Sequence, residues 1–225
     1  MAYYIDLKTL SFDDFKKWLE QIEYFIPSRK VLAEDINKRF DLLQSHGVSD
    51  LFELNEKLKT KKKLAEFVKI SKLPEDYLTH LGREIKSFHP PARKIKDFQY
   101  LDDKIIEALQ EKGIVNTLKL YDRVATKKER NKLKKELNLT NAEVLLLAKL
   151  ADLSRLRYVS PLFATLLVNS SGDTVEKVQK ADPKKLYQEL IDLNADNKFY
   201  KGNIGAKDME FLVRVSAFVP LEVEY

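Results

Sequence analysis

A six-residue phrase returns along this chain. Leu42 to Gly47 reads Leu-Leu-Gln-Ser-His-Gly, Ala108 to Gly113 reads Ala-Leu-Gln-Glu-Lys-Gly, and Leu167 to Gly172 reads Leu-Val-Asn-Ser-Ser-Gly. The glycines step by 66 residues and then by 59. A second landmark recurs at Leu73-Pro74, Leu139-Thr140 and Ile204-Gly205, in steps of 66 and 65. Repetition on this scale describes one supersecondary unit used in tandem, whose apolar faces are buried on its neighbours. The fold is therefore read one repeat at a time.

Within each repeat the apolar spacing is three and four, glycine and proline are scarce (6 and 7 of 225 residues), and β-alternation is nearly absent. That pattern predicts an all-α chain. The first helix of each repeat ends at Gly47, Gly113 or Gly172, because glycine past a helix end accepts the left-handed backbone that closes the last carbonyls. A short second helix follows. A third starts after the caps Thr60, Thr126 and Asp182. A fourth starts near Pro74, Thr140 and Ala206, with Thr140 and Glu143 spaced as a capping box. Ahead of the repeats, Ser11 caps a helix with Asp13 and Asp14 in its first turn, an apolar face of Phe12, Phe15, Leu19 and Ile22, and a stop at Pro27. The expected layout is an N-terminal helical flange over 1–30 and repeats over 31–95, 96–158 and 159–225. The segment Phe88-His89-Pro90-Pro91 breaks helix between the first two repeats.

Several strings from Leu101 onward carry a family resemblance. They are Ala151-Asp152-Leu153-Ser154-Arg155-Leu156, Phe163 to Leu167, Gly172-Asp173-Thr174-Val175-Glu176, Asp182 to Leu186, and Asn194. In order and spacing this stretch, about 96–220, resembles the bacterial domain family DUF4332. The resemblance implies helix-hairpin-helix-like (SAM-like) repeats, so the fold class is all-α: three tandem four-helix repeats behind an N-terminal helix. Hairpins of that kind that grip DNA use a glycine-x-glycine turn. Here the turns read Arg157-Tyr158-Val159-Ser160-Pro161 and Gln99-Tyr100-Leu101-Asp102-Asp103, with no glycine and with two carboxylates that would repel phosphate. Tyr100 and Tyr158 occupy matching places and are expected to plug seams between helices.

The charge pattern gives the candidate site. The net charge is +5, a mild basic bias. Lys61, Lys62 and Lys63, then Lys127, Lys128 and Arg130, then Lys184 and Lys185 fall just after the caps of the three third helices. Cations at a helix N-terminus oppose the macrodipole by roughly 0.3–1 kcal/mol each, and a bound anion would reverse that sign. Either these residues are a solvated surface or they meet phosphate of DNA or RNA.

The three histidines, His46, His80 and His89, are isolated, so no metal site is expected. Asp13-Asp14 and Asp102-Asp103 read as helix caps rather than an acid–base pair, and Gly202-Asn203-Ile204-Gly205 reads as a plain turn. No cofactor is called for. The chain has no cysteine, no leader-like start and no apolar run long enough for a bilayer, so a cytoplasmic setting without membrane contact is expected. The functional expectation is a non-enzymatic helical-repeat binding module, a protein–protein adaptor or structural component. The alternative is non-specific nucleic-acid binding through the lysine clusters. The segment Leu221-Glu222-Val223-Glu224-Tyr225 is expected either to add to a partner's sheet edge or to fray.

Overall fold

In a computed structural model, which describes residues 2–225, all the regular elements are helices. The backbone otherwise offers one isolated bridge, Lys94 to Asn116. Contacts divide the chain into two compact units, residues 5–89 and residues 2–4 with 90–225.

The first unit begins with α1 (Phe12–Phe25), whose Ser11 hydroxyl accepts the Asp14 N–H at 3.1 Å. Phe15, Trp18, Leu19 and Ile22 are buried from it, each contributing about 1.5–3 kcal/mol of apolar transfer. A 3-10 turn (Pro27–Leu32) follows, then α2 (Ile36–Ser45), α3 (Leu51–Leu58), α4 (Lys61–Ser71) and α5 (Glu75–Ser87). α3 packs on α4 and α5, and α4 on α5. The fully buried Glu84 of α5 is tied to α1 by the Trp18 indole N–H at 2.7 Å, and to the turn by the Arg29 guanidinium. Gly47 closes α2 with φ 72°, as its place after the helix requires.

The second unit holds α6 (Asp103–Glu111), α7 (Thr117–Val124), α8 (Lys127–Glu136), α9 (Asn141–Leu153), α10 (Pro161–Val168), α11 (Val175–Lys180), α12 (Pro183–Asn197) and α13 (Ala206–Ser216). α7 packs on α8 and α9, α8 on α9, and both α11 and α12 on α13. The Thr140–Glu143 capping box is formed in full. Residues 2–4, grouped with the flange by sequence, belong here: the Tyr3 hydroxyl bonds Thr117 at 2.7 Å and donates to the Ser154 carbonyl at 3.2 Å.

Gly113 closes α6 with φ 71°, but Gly172 does not play that part. α10 ends at Val168 with Asn169 as its cap, and Gly172 lies further on with ordinary backbone angles. Its reason is space. A Cβ there would stand 3.1 Å from a Leu186 methyl, so a bare backbone is what lets α12 close on this loop.

Candidate binding surfaces

Lys61, Lys62 and Lys63 occupy the first turn of α4, Lys127 and Lys128 that of α8, and Lys184 and Lys185 that of α12, and all seven are exposed. The helix ends behind them differ. At α12 the Asp182 carboxylate accepts the Lys184 and Lys185 amides at 2.9 and 3.0 Å, and the Lys185 bond leads in holding this carboxyl below its ordinary range. At α8 the Thr126 hydroxyl takes the Glu129 amide at 3.0 Å, while the Glu224 carboxylate takes the Lys127 amide at 2.9 Å. Two of the three expected anion sites thus already hold a carboxylate of the chain itself. Only α4, capped by Thr60 at the Lys63 amide (3.3 Å), has none among the described residues.

Arg130 departs from the expectation. Its side chain is buried, 7% exposed, and donates to the carbonyl of Val124 at 2.6 Å and to that of Glu224. A guanidinium spent on backbone carbonyls is no part of an exposed cationic cluster. Charge counting along the sequence could not separate it from the lysines around it.

The segment after α13 neither frays nor waits for a partner's sheet. Gln179 holds the Val219 carbonyl at 2.8 Å, Arg155 holds the Pro220 carbonyl at 2.9 Å, and the Glu224 N–H donates to the Ala125 carbonyl at 2.9 Å. The Tyr225 hydroxyl ends the run on Asp152 at 3.0 Å.

Asp152 is the centre of a buried polar knot. It also accepts from Arg155 at 2.9 Å and from the Val175 amide at 3.0 Å. Arg155 in turn donates to the Tyr3 carbonyl at 3.1 Å. Burial pushes the Asp152 carboxyl upward against the pull of Arg155 and the other donors, and pushes the Tyr3 hydroxyl up to about 12. With both carboxylate oxygens bonded inside the core, this group holds the fold together.

A family model described as a domain of unknown function, DUF4332, matches residues 101–214, just over half of the 225 residues. The chain belongs to the DUF4332 family. No curated protein and no solved structure matches it. The knot explains two of the strings that carry the DUF4332 resemblance. Ala151–Leu156 supplies Asp152 and Arg155, and Gly172–Glu176 supplies the Val175 amide, so the two strings are bonded to each other. A second link joins Lys149 to Asp173 at 2.6 Å, and Lys177 adds an ion pair to the same carboxylate at 2.7 Å.

A wider open feature belongs to the first unit. A groove of about 1060 Å³ runs among α3, α4 and α5. Leu58, Leu64, Ala65, Leu78 and Gly82 make its apolar floor. A Cβ on Gly82 would approach the Leu58 Cβ to 3.2 Å, so this glycine sets how closely α5 lies on α3. Lys59, Lys61, Arg83 and Lys86 stand exposed around it. Lys59 is paired with Glu56 at 3.0 Å, whereas Lys61, Arg83 and Lys86 have no ion-pair partner among the described residues. Of the expected site residues, only Lys61 lines this groove. Arg83 and Lys86 were legible as cations three apart on one helix face, but the sequence did not say which neighbours that face meets.

The second unit has a smaller pocket of about 280 Å³, lined in part by Tyr158, Phe163, Tyr200 and Phe211. Tyr158 and Tyr100 do not plug seams. They are 59% and 50% exposed, while Phe98 and Leu156, two residues earlier, are the buried side chains. Tyr158 holds φ at 63°, the left-handed region that a bulky residue seldom enters, and its ring lies 5.5 Å from Phe211. The Gly202–Gly205 turn supplies part of the wall, and a Cβ on Gly202 would collide with the Tyr200 ring at 2.5 Å.

Of the remaining carboxylate pairs only Asp102 is a cap, at the start of α6; Ser11 caps α1, with Asp13 and Asp14 inside its first turn. Asp14 accepts from the Ser11 hydroxyl at 2.7 Å and Asp102 from the Lys104 amide at 2.8 Å. Among the described residues no helix is long and apolar enough to cross a membrane.

Proposed function

We propose that this DUF4332 protein is a binding module that recognises a segment of another protein, acting by contact rather than by catalysis. The observation that carries this reading is the groove of the first unit, with its apolar floor and a rim of three cations that have no ion-pair partner among the described residues. Apolar floors with a few polar rim groups are how helical proteins capture peptide segments. The cysteine-free composition is in keeping with a cytoplasmic setting.

The tandem layout is part of the proposal: α2–α5, α6–α9 and α10–α13 are three uses of one four-helix block. In the first two groups the caps step in register, Asp50 to Asn116, Thr60 to Thr126 and Pro74 to Thr140, each by 66 residues. The packing repeats as well, third helix on fourth and second on fourth in every group. The last group is looser, with a 6-residue α11 and a 15-residue α12.

The test is capture of partners from the native cell by the full chain and by the Lys61→Glu/Arg83→Glu variant, each with and without nuclease. The protein-binding reading expects partners that survive nuclease and are lost by the variant. Nucleic-acid binding, the second reading, keeps the exposed Lys62, Lys63, Lys127, Lys128, Lys184 and Lys185 in its favour. It expects capture that vanishes with nuclease and falls steeply with salt.

A further inference from the structure

The seat of residues 221–225 in the second unit and the open groove of the first are the same place in two copies of one block, if the tandem layout proposed above holds. The 66-residue step sets Leu58, Lys59, Thr60 and Lys61 against Val124, Ala125, Thr126 and Lys127. In the second unit this corner is filled. Glu224 donates its N–H to the Ala125 carbonyl at 2.9 Å, places its carboxylate on the Lys127 amide at 2.9 Å, and offers its carbonyl to Arg130. In the first unit the corresponding residues line the groove of about 1060 Å³, and no carboxylate caps the Lys61 amide among the described residues.

We infer that the groove among α3, α4 and α5 receives a short extended acidic segment of another protein chain, seated as Leu221–Tyr225 is seated in the second unit. Charge complementarity argues the same way. Among the described residues Lys61, Arg83 and Lys86 have no ion-pair partner at the rim, and the lining carboxylates are Glu56, held by Lys59 and Lys63, and Glu75.

The differences between the two seats set the specificity. Lys86 stands where Asp152 stands, so the position that Tyr225 fills with a hydroxyl on a carboxylate calls for an acidic residue on a cation. Leu64 stands where Arg130 stands, which replaces a hydrogen bond to the ligand's carbonyl by apolar contact. The segment that fits therefore alternates apolar and acidic residues and ends on an acid.

The test uses the full chain and three probes labelled with fluorescein at the N-terminal or 5′ end: fluoresceinyl-Gly-Pro-Leu-Glu-Val-Glu-Glu amide, the same peptide with every Glu replaced by Gln, and a single-stranded dodecanucleotide. Polarisation titrations are run at low and moderate salt, with binding mapped by amide chemical shifts. The acidic peptide should bind with shifts at Lys59–Leu64 and Thr79–Lys86. Binding should weaken about tenfold or more for the Gln peptide and for Lys61→Glu and Lys86→Glu, a change of about 1.4 kcal/mol. Circular dichroism checks that the variants fold, and Lys61→Ala with Lys86→Ala replaces any that do not. Equal binding of the Gln peptide, unaltered binding by the folded variants, shifts confined to Ala125–Arg130, or binding of the oligonucleotide alone at these residues would each overturn the inference. Where no peptide binds yet groove-dependent, nuclease-resistant capture persists, the acidic-segment inference falls and the broader protein-binding reading stands.

Discussion

The Glu224 carboxylate accepts the backbone N–H of Lys127 at 2.9 Å, so a residue 97 positions away closes the start of α8. A capping carboxylate at this point contributes about 1 kcal/mol through the bond and the helix dipole. Glu224→Ala should lower the unfolding free energy by about that much and speed amide exchange in the first turn of α8. Unchanged exchange at Lys127 would show the bond to be idle in solution.

Asp152→Ala strips a buried acceptor from Arg155, the Val175 amide and the Tyr225 hydroxyl at once. Leaving a buried guanidinium without its carboxylate costs about 3–5 kcal/mol. Urea titration should show that loss. A cost under about 0.5 kcal/mol, the usual range for surface positions, would mean that the knot does not hold the fold.

Glu84→Ala makes the same error in the first unit, orphaning the Arg29 guanidinium and the Trp18 N–H. The expected loss is again roughly 3 kcal/mol, read by denaturant melting of the variant. Glu84→Gln should lie between the variant and the parent, since an amide oxygen still accepts from the indole.

Acid should destabilise the second unit in part through Asp173. Burial alone would raise this carboxyl, but the bonds from Lys149 and Lys177 outweigh it and hold it below its ordinary value. A folded-state value below the unfolded one means that the contribution is full above about pH 4 and drains away as pH falls through the folded value. Melts between pH 7 and pH 2.5 should show a shallower decline for Asp173→Asn than for the parent. Parallel declines would remove Asp173 from the account.

Tyr158 provides a test of backbone strain. With φ at 63°, Tyr158→Gly should be more stable than Tyr158→Ala by about 1 kcal/mol, the reverse of the order expected within a helix. The two variants lose the same ring contact with Phe211, so their difference isolates the backbone. Equal stabilities would place no strain at this turn.

The helices were legible because their signals are local. Ser11, Thr60, Thr126, Thr140 and Asp182 each cap the helix that their sequence position announces, and Gly47 and Gly113 end theirs. Gly172 differs from them in role but not in appearance, because a glycine that makes room for Leu186 looks the same in sequence as one that turns a chain. The places of Arg130, Tyr100 and Tyr158 are hidden in the sequence for a related reason. Whether a long side chain lies in or out depends on what crosses above it, and for Arg130 that is a segment more than ninety residues away. The groove is half visible in the sequence: Lys61 follows the Thr60 cap, but Arg83 and Lys86 join it only when α5 is laid beside α4.

Trp18 is the chain's single tryptophan, and its indole N–H is bonded to a carboxylate inside the core. Emission excited at the red edge of the aromatic band therefore comes from residues 5–89 alone, without any label. The molecule carries a native optical gauge of one unit's integrity, against which far-ultraviolet dichroism of the whole chain can be compared, melt for melt.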